Sequence, residues 1–348
     1  MILCDGLVKI YKVQDLEVVA LQGLDLLVDR GEFMAIVGPS GSGKSSLLNI
    51  LGGLDRPTAG KAIIDGDDML KLSPAALTRY RRSKVGFLWQ QPSRNLIPYL
   101  TVADNVELPM LLAGKAPNER EEWVRELLED VGLWERRDHS VHQLSGGEQQ
   151  RTAIAVSLAN KPILLLADEP TGEVDTATAE NILETLRRLN EIYSLTIVTV
   201  THDVRIADQV DRVVSIRDGK TSSERFRRVH AAEVEQVAEN GDQNGDANGG
   251  PAHQVSYHEY VVVDAAGRLQ LPREYMDELG IRGRVELELA EDGILVKPAS
   301  GLDGAVSETD RIADTLSAWQ VSQEGRGLGQ RMARMGQSLW NTIARRQR

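Results

Sequence analysis

Eight residues, Gly38 to Ser45 (GPSGSGKS), carry the most specific chemistry in this sequence. They fit the spacing GxxxxGK[ST], with Gly38, Gly43, Lys44 and Ser45 in the demanded places. A phosphate chain concentrates several negative charges, so holding it takes many donors and little side-chain bulk. Glycines let successive N–H groups turn inward, and the helix that follows offers its positive end. The candidate nucleotide contacts are Gly38, Ser40, Gly41, Ser42, Gly43, Lys44, Ser45 and Ser46. Lys44 would reach the terminal phosphates, and the Ser45 hydroxyl would ligate Mg²⁺.

More chemistry lies at Ile163 to Pro170 (ILLLADEP), an apolar run that exits on two acids. Adjacent carboxylates leaving a core strand are costly unless they hold a cation or a proton. Asp168 fits Mg²⁺ ligation, and Glu169 fits polarising an attacking water. His202 ends another apolar run, LTIVTVT, where it is placed to contact the γ-phosphate. Gln90 leaves the run VGFLW and could orient a water or touch Mg²⁺. LSGGEQQR, Leu144 to Arg151, opens a helix on two glycines, a second place able to receive a phosphate. One chain does not need two such sites for one nucleotide; a second copy of the chain does. Tyr11 either stacks on an adenine ring or is an ordinary strand tyrosine.

These groups need an α/β scaffold. Phe33 to Val37 is a buried strand and Ser46 to Leu51 the opening of a helix. Met1 to about Arg30 alternates apolar and polar residues, the pattern of an antiparallel subsheet. KAIIDG is a further strand, and LTRYRRS a short basic helix with a solvated face. Leu96 to about Trp134 has a helical texture, with Trp123, Leu127, Leu128 and Val131 on one face, and forms a helical insertion. TAENILETLRRLN is a helix, and VDRVVSIRDGK supplies the last strands.

The chain has 348 residues and a formal charge of −12, so it is long enough for about two domains and is not a general polyanion binder. One cysteine, Cys4, excludes an internal disulfide and suits a reducing cytosol. The amino terminus lacks a basic region followed by a long apolar run, and no apolar run reaches the ~18 residues of a membrane helix. A membrane role therefore comes through a partner or surface attachment.

Taken together and in this order, the motifs from Met1 to about Lys220 resemble the ATP-binding subunit of an ABC transporter. The resemblance implies a P-loop NTPase domain with an antiparallel β subsheet and a helical insertion. It also implies an ATPase that uses ATP and Mg²⁺. It makes Tyr11 the adenine-stacking aromatic, GPSGSGKS the Walker A loop and Gln90 the Q-loop glutamine. Ser145, Gly146, Gly147 and Glu148 fall in the family signature. Asp168 and Glu169 become the Walker B pair, Asp175 the D-loop aspartate and His202 the switch histidine. A head-to-tail homodimer follows, with each ATP between one chain's Walker A loop and the other's Ser145, Gly146 and Gly147. The dimer drives a separate integral-membrane permease from the inner face of the cell membrane. ILGGLDRPTAG and GFLWQQ look most like the branch serving macrolide-export, lipoprotein-release and cell-division-type permeases. Glu173 and Val174 depart from that branch's usual Asn and Leu, and Val156 and Ser157 from its Arg-Ala; neither change removes a catalytic group.

The division expected is 1–221 for the ATPase, 222–254 for a flexible acidic, Asn/Gly-rich linker, 255–300 for a small mostly-β domain and 301–348 for a tail. VVVD, GRLQLP, REYMDELG, RVELELA and GILVKP resemble an AbrB or MazE-type swapped-hairpin domain, in which two chains interleave. Between 255 and 300, nine acids against five bases give a net of −4, so DNA is an unlikely partner and dimerisation or regulation the preferred role. The alternative is a soluble ABC ATPase that acts on nucleic acid through this domain; another is an ATP-gated switch with no cargo. In the tail, Leu328, Met332, Met335, Leu339, Trp340 and Ile343 recur at helical spacing among arginines. That suits a basic amphipathic helix on lipid or a partner, or equally a helix packed on its own protein.

Overall fold

The computed structural model describes residues 1–13, 16–202, 206, 209–230, 254–263, 267, 269–281, 285–290 and 293–298. From the amino terminus, β1 (Ile2–Val13) and β2 (Leu16–Val28) pair antiparallel; β3 (Phe33–Val37) then leads into α1 (Lys44–Leu51). With β4 (Ala59–Ile64) and β5 (Asp67–Asp68), the first two strands form a sheet of order β2-β1-β4-β5, the subsheet expected from the alternation. Next come α2 (Pro74–Ser83), β6 (Val85–Leu88), α3 (Val102–Leu112) and α4 (Pro117–Asp130). They are followed by α5 (Gly146–Leu158), β7 (Leu164–Asp168), α6 (Thr176–Tyr193) and β8 (Thr196–Val200). β9 (Arg212–Arg217), β10 (Lys220–His230) and β11 (Gln254–Val261) complete a second sheet, β11-β10-β9-β3-β8-β7-β6. Strands from β9 to β6 run parallel; β10 and β11 are antiparallel additions.

The parallel strands are largely apolar because both faces are covered. Their period of two sends alternate residues into different cores. Phe33, Ala35, Leu165, Ala167 and Ile197 join the core built with α3, α4, α5 and α6. Met34, Ile36, Leu164, Leu166 and Val198 join the core beneath the antiparallel subsheet and α1. The face expected for α4 is the one that packs: Trp123, Leu127, Leu128 and Val131 are all buried.

The carboxyl-terminal boundary differs from the expectation. β10 carries strand on to His230, past the expected linker start at 222. β11, expected to open a separate domain, pairs with β10 from Ser223↔Val261 to His230↔Gln254. Phe226 holds the junction, meeting Tyr260 edge-on at 5.8 Å with the Arg212 guanidinium 5.4 Å from its ring. The chain divides into two compact units, Met1–Leu271 and Pro272–Arg348. In the second, the described residues form α7 (Arg273–Glu278) and a hairpin of β12 (Val285–Ala290) and β13 (Gly293–Pro298), as REYMDELG, RVELELA and GILVKP led us to expect. Among its described residues GRLQLP contributes an isolated bridge, from Leu269 to Val263. The Asn/Gly-rich stretch at 231–253 and the tail at 301–348 lie outside the described residues. Among the described residues no helix is long and apolar enough to cross a membrane.

Candidate functional site

The phosphate loop leaves β3 and enters α1. Gly43, in the left-handed region at φ 102°, is the N-cap and supplies no side-chain cap, so the first N–H groups of α1 stay available. The loop is pressed against the rest of the fold. A Cβ on Gly43 would stand 2.4 Å from the Ala20 carbonyl oxygen, and one on Gly38 2.2 Å from that of Ile216. Lys44 Nζ donates to the carbonyls of Gly38 and Pro39 at 2.8 and 2.9 Å, curling the side chain inside the loop. Burial lowers the pKa of this ammonium, while Glu169 and Asp168 act to raise it. Ser42 Oγ is buried with no hydrogen-bond partner. Ser40, Gly41 and Ser45 are exposed, and Ser46 half-buried, at the same turn.

Three neighbouring strands deliver the other groups at their carboxyl ends. Asp168 is the last residue of β7. Burial pushes its carboxyl above the usual range and Glu169 adds to this, against the pull of Arg94 and Lys44. Glu169 follows in the left-handed region at φ 48°, uncommon for a residue with a Cβ. Its N–H donates to the Val200 carbonyl at 2.8 Å, and its own carbonyl accepts from Gly172 at 3.0 Å. That fixed kink points Glu169 toward β8, where His202 Nδ1 lies 3.1 Å from Glu169 Oε1. Gln90 follows β6, and a Cβ on Gly172 would stand 3.0 Å from Gln90 Nε2. Gln90 thus borders the turn after Glu169. Arg94, which the sequence reading passed over, lies 3.6 Å from the Trp89 ring centre.

Tyr11 lies on β1 beside Ser46 and Asp55; burial first raises its pKa, Ser46 acts to lower it, and Asp55 raises it further. The signature motif forms the start of α5. Ser145 Oγ accepts from the Glu148 N–H at 3.3 Å, and Glu148 Oε2 accepts from the Ser145 N–H at 2.8 Å, a capping box. The Ser145 N–H holds the Glu148 carboxyl below its usual range. A Cβ on Gly147 would stand 2.5 Å from Thr178 Cγ2, whereas one on Gly146 would meet nothing within 4 Å. Asp175 caps α6, accepting from the Thr178 N–H at 3.0 Å and its hydroxyl at 2.7 Å; these bonds lower its pKa. The structure therefore gathers the Walker A residues with Asp168, Glu169, His202 and Gln90, and separately joins the signature turn to Asp175 through Thr178.

This donor set fits a triphosphate and a divalent cation. Free helix N–H groups and an orphaned serine hydroxyl await acceptors, and the half-buried carboxylate of Asp168 suits a positive charge. Among the described residues no cluster of three or more His, Cys, Asp or Glu could hold a metal. A cation here would complete its shell from the ligand's own oxygens. A cavity of about 960 Å³ lies elsewhere, at the amino ends of β7 and β8 around Trp123 and Tyr193. Its charges are largely engaged: Arg187 pairs with Asp211 and Glu191, and Lys161 sits over Trp123.

Comparison with known proteins agrees with this geometry. Residues 21–172 match a protein-family profile described as ABC transporter. An ABC transporter ATP-binding protein of Thermotoga maritima is 50% identical over 212 residues, 61% of this chain and 89% of that protein. The macrolide export ATP-binding/permease protein MacB of Rhodopirellula baltica is 44% identical over 235 residues, 67% of this chain but only 34% of that protein. Among solved structures, the dimeric ATP-binding cassette MJ0796, in a post-hydrolysis state bound to ADP and Pi, superposes with a TM-score of 0.59 at 42% identity, covering 64% of this chain and 97% of that one. CbiO1 of Clostridium perfringens, part of the ABC transporter complex CbiONQ, also gives 0.59, at 28% identity over 63% of this chain and 86% of its own.

Proposed function

Since the chain belongs to the ABC transporter ATP-binding proteins, which bind ATP with Mg²⁺ and hydrolyse it, we propose that two copies close head to tail around two MgATP and drive a separate membrane permease. The observation that carries this is the convergence of Lys44, Asp168, Glu169 and His202 at one end of the sheet, with Glu169 and His202 3.1 Å apart. The N–H groups of Gly38 to Ser45 bind the phosphates, and Lys44 exchanges its two loop carbonyls for phosphate oxygens. Ser45, Asp168 and Gln90 would hold Mg²⁺, which would neutralise charge on the phosphates. Glu169 accepts the proton of the attacking water. His202, hydrogen-bonded to Glu169, contacts the γ-phosphate and holds the pair in line.

Gly146 supports the second copy. Among the described residues nothing lies within 4 Å of where its Cβ would be, which leaves room there for a second chain. Ser145, Gly146 and Gly147 then receive the phosphates held by the partner, and Asp175 lies at the same junction. Within the family we assign the macrolide-export and lipoprotein-release branch, on the MacB likeness and the GFLWQQ wording. We accordingly assign the chain a peripheral position on the inner face of the cell membrane.

We also assign the second compact unit a dimerising role of the AbrB-like kind. The register pairs Leu287 with Val296 and Leu289 with Ile294, making one face of the β12–β13 hairpin apolar. Leu289 is 86% exposed and Ile294 68%, and a bare two-stranded hairpin is marginal without cover. A second copy tethered to the same dimer would supply that cover. The carboxyl-terminal tail is assigned a surface contact with membrane lipid or the permease.

Glu169→Gln tests the core of this. It should lower kcat by about 10²-fold or more while ATP binding persists, and ATP should trap a dimer on size-exclusion chromatography. A wild-type rate would remove Glu169 from the role of base. With that variant as bait in detergent-solubilised membranes, an integral-membrane permease should co-purify; recovery of soluble proteins alone would end the transport assignment.

A further inference from the structure

Lys9 is a cation placed where cations are rarely left. It precedes Tyr11 by two residues on β1, and only 8% of it is exposed. A buried ammonium needs a full set of partners. Its Nζ donates to Asp55 Oδ1 at 2.7 Å and to the Arg56 carbonyl at 2.9 Å. The same Nζ lies 4.6 Å from the centre of the Tyr11 ring, within cation–π range. Asp55 belongs to the turn after α1, where its N–H donates to Asn49 and its Oδ1 accepts from the Arg56 N–H at 2.7 Å. Burial acts to raise the Asp55 carboxyl, but the Lys9, Arg56 and Tyr11 bonds together bring it below its usual value. Asp55 and Ser46, the residue after the Mg²⁺-ligating serine, both lie close enough to the Tyr11 hydroxyl to act on its proton. One face of the ring is thus covered by an ammonium that is itself locked.

We propose that Lys9 is a positioning residue for the nucleotide base: clamped to Asp55 and Arg56, it occupies one face of Tyr11 and leaves the other as a preformed stacking platform beside the phosphate loop. A free tyrosine would lose rotamer freedom when a base stacks on it; a clamped one has lost it already, so less of the stacking energy is spent on ordering. The proposal rests on Tyr11 being the adenine-stacking aromatic.

The test uses the full chain and two probes, ATP and inorganic tripolyphosphate, which offers the phosphate loop a phosphate chain without a base. Lys9→Met should raise the KM for ATP about ten-fold with kcat retained, leaving inhibition by tripolyphosphate unchanged. Tyr11→Ala should do at least as much, and the double variant no more than Tyr11→Ala alone, because Lys9 acts through the ring. Asp55→Asn keeps the ammonium but loosens its anchor and should raise KM about three-fold; it decides the matter if Lys9→Met does not fold. A raised KM in Tyr11→Ala with unchanged values in the Lys9 and Asp55 variants overturns the role of Lys9 and keeps the platform. An unchanged KM in Tyr11→Ala overturns the platform and Lys9 with it. Equal weakening toward ATP and tripolyphosphate assigns Lys9 to the folding of the loop and also overturns the proposal.

Discussion

At α1 the first turn has no side-chain cap, whereas at α5 Ser145 and Glu148 cap each other. The surroundings differ in the same sense. Gly38 and Gly43 sit against backbone carbonyls that leave no room for a side chain, while Gly146 faces open space. Both helices begin on glycines suited to phosphate. The first is an unfinished helix end inside a finished cradle, short only of its ligand. The second is a finished helix end with an open approach, short of the body that would approach it. The contrast belongs to these particular glycines, since Gly41 of the first loop is also open and Gly147 of the second turn is crowded by Thr178.

Substitutions at the two ends should separate these meanings. Gly43→Ala would force a Cβ into the Ala20 carbonyl at φ 102°, so both fold and ATP binding should suffer, with a stability loss of about 3 kcal/mol in urea unfolding. Gly146→Ala should leave the isolated chain intact, or more stable by up to about 1 kcal/mol, since alanine favours helix. ATPase activity should nonetheless fall at least about ten-fold if a partner's phosphates must pass there. Equal thermal stability with full activity would erase the distinction drawn from Gly146.

The smallest effect concerns Asp168. Its carboxyl is raised in the folded state, so the fold binds that proton more tightly than the unfolded chain does. The contribution of this group to stability is full at low pH and declines as pH rises from the ordinary carboxylate value of 3.8 through the raised one. Asp168→Asn removes the decline. Without nucleotide, the variant should melt about 2–4 °C above the wild type at neutral pH, a gain that vanishes in acid, and MgADP should stabilise it less. A variant that melts lower at neutral pH would contradict the cost assigned to that buried charge.

How much could be read in advance depended on whether a signal was local. β3, β7 and β8 were legible because burial on both faces writes an unbroken apolar run, and an abrupt polar exit marks where chemistry begins. The phosphate loop was legible from spacing alone. β10 was not: TSSERFRRVH is polar, and its partner begins at Gln254, beyond an acidic stretch that dominates the composition. The Lys9–Asp55 pair was equally hidden, since 46 residues separate its members and only the fold brings them together. One signal was present in LVKIYKV: a lysine on the inward alternation, between Leu7 and Tyr11, needs a buried counter-charge somewhere.

The rim formed by β10 and β11 has a practical consequence for shortening the chain. The motifs end near Lys220, which invites a cut there. Such a cut would strip β9 of its outer neighbour and bare a row of unpaired amides, a template for edge-to-edge aggregation. It would also take Glu224 from Arg212, a buried guanidinium whose remaining ion-pair partner among the described residues is Glu32. A soluble minimal ATPase from this chain should therefore end after Val261 rather than at its last motif.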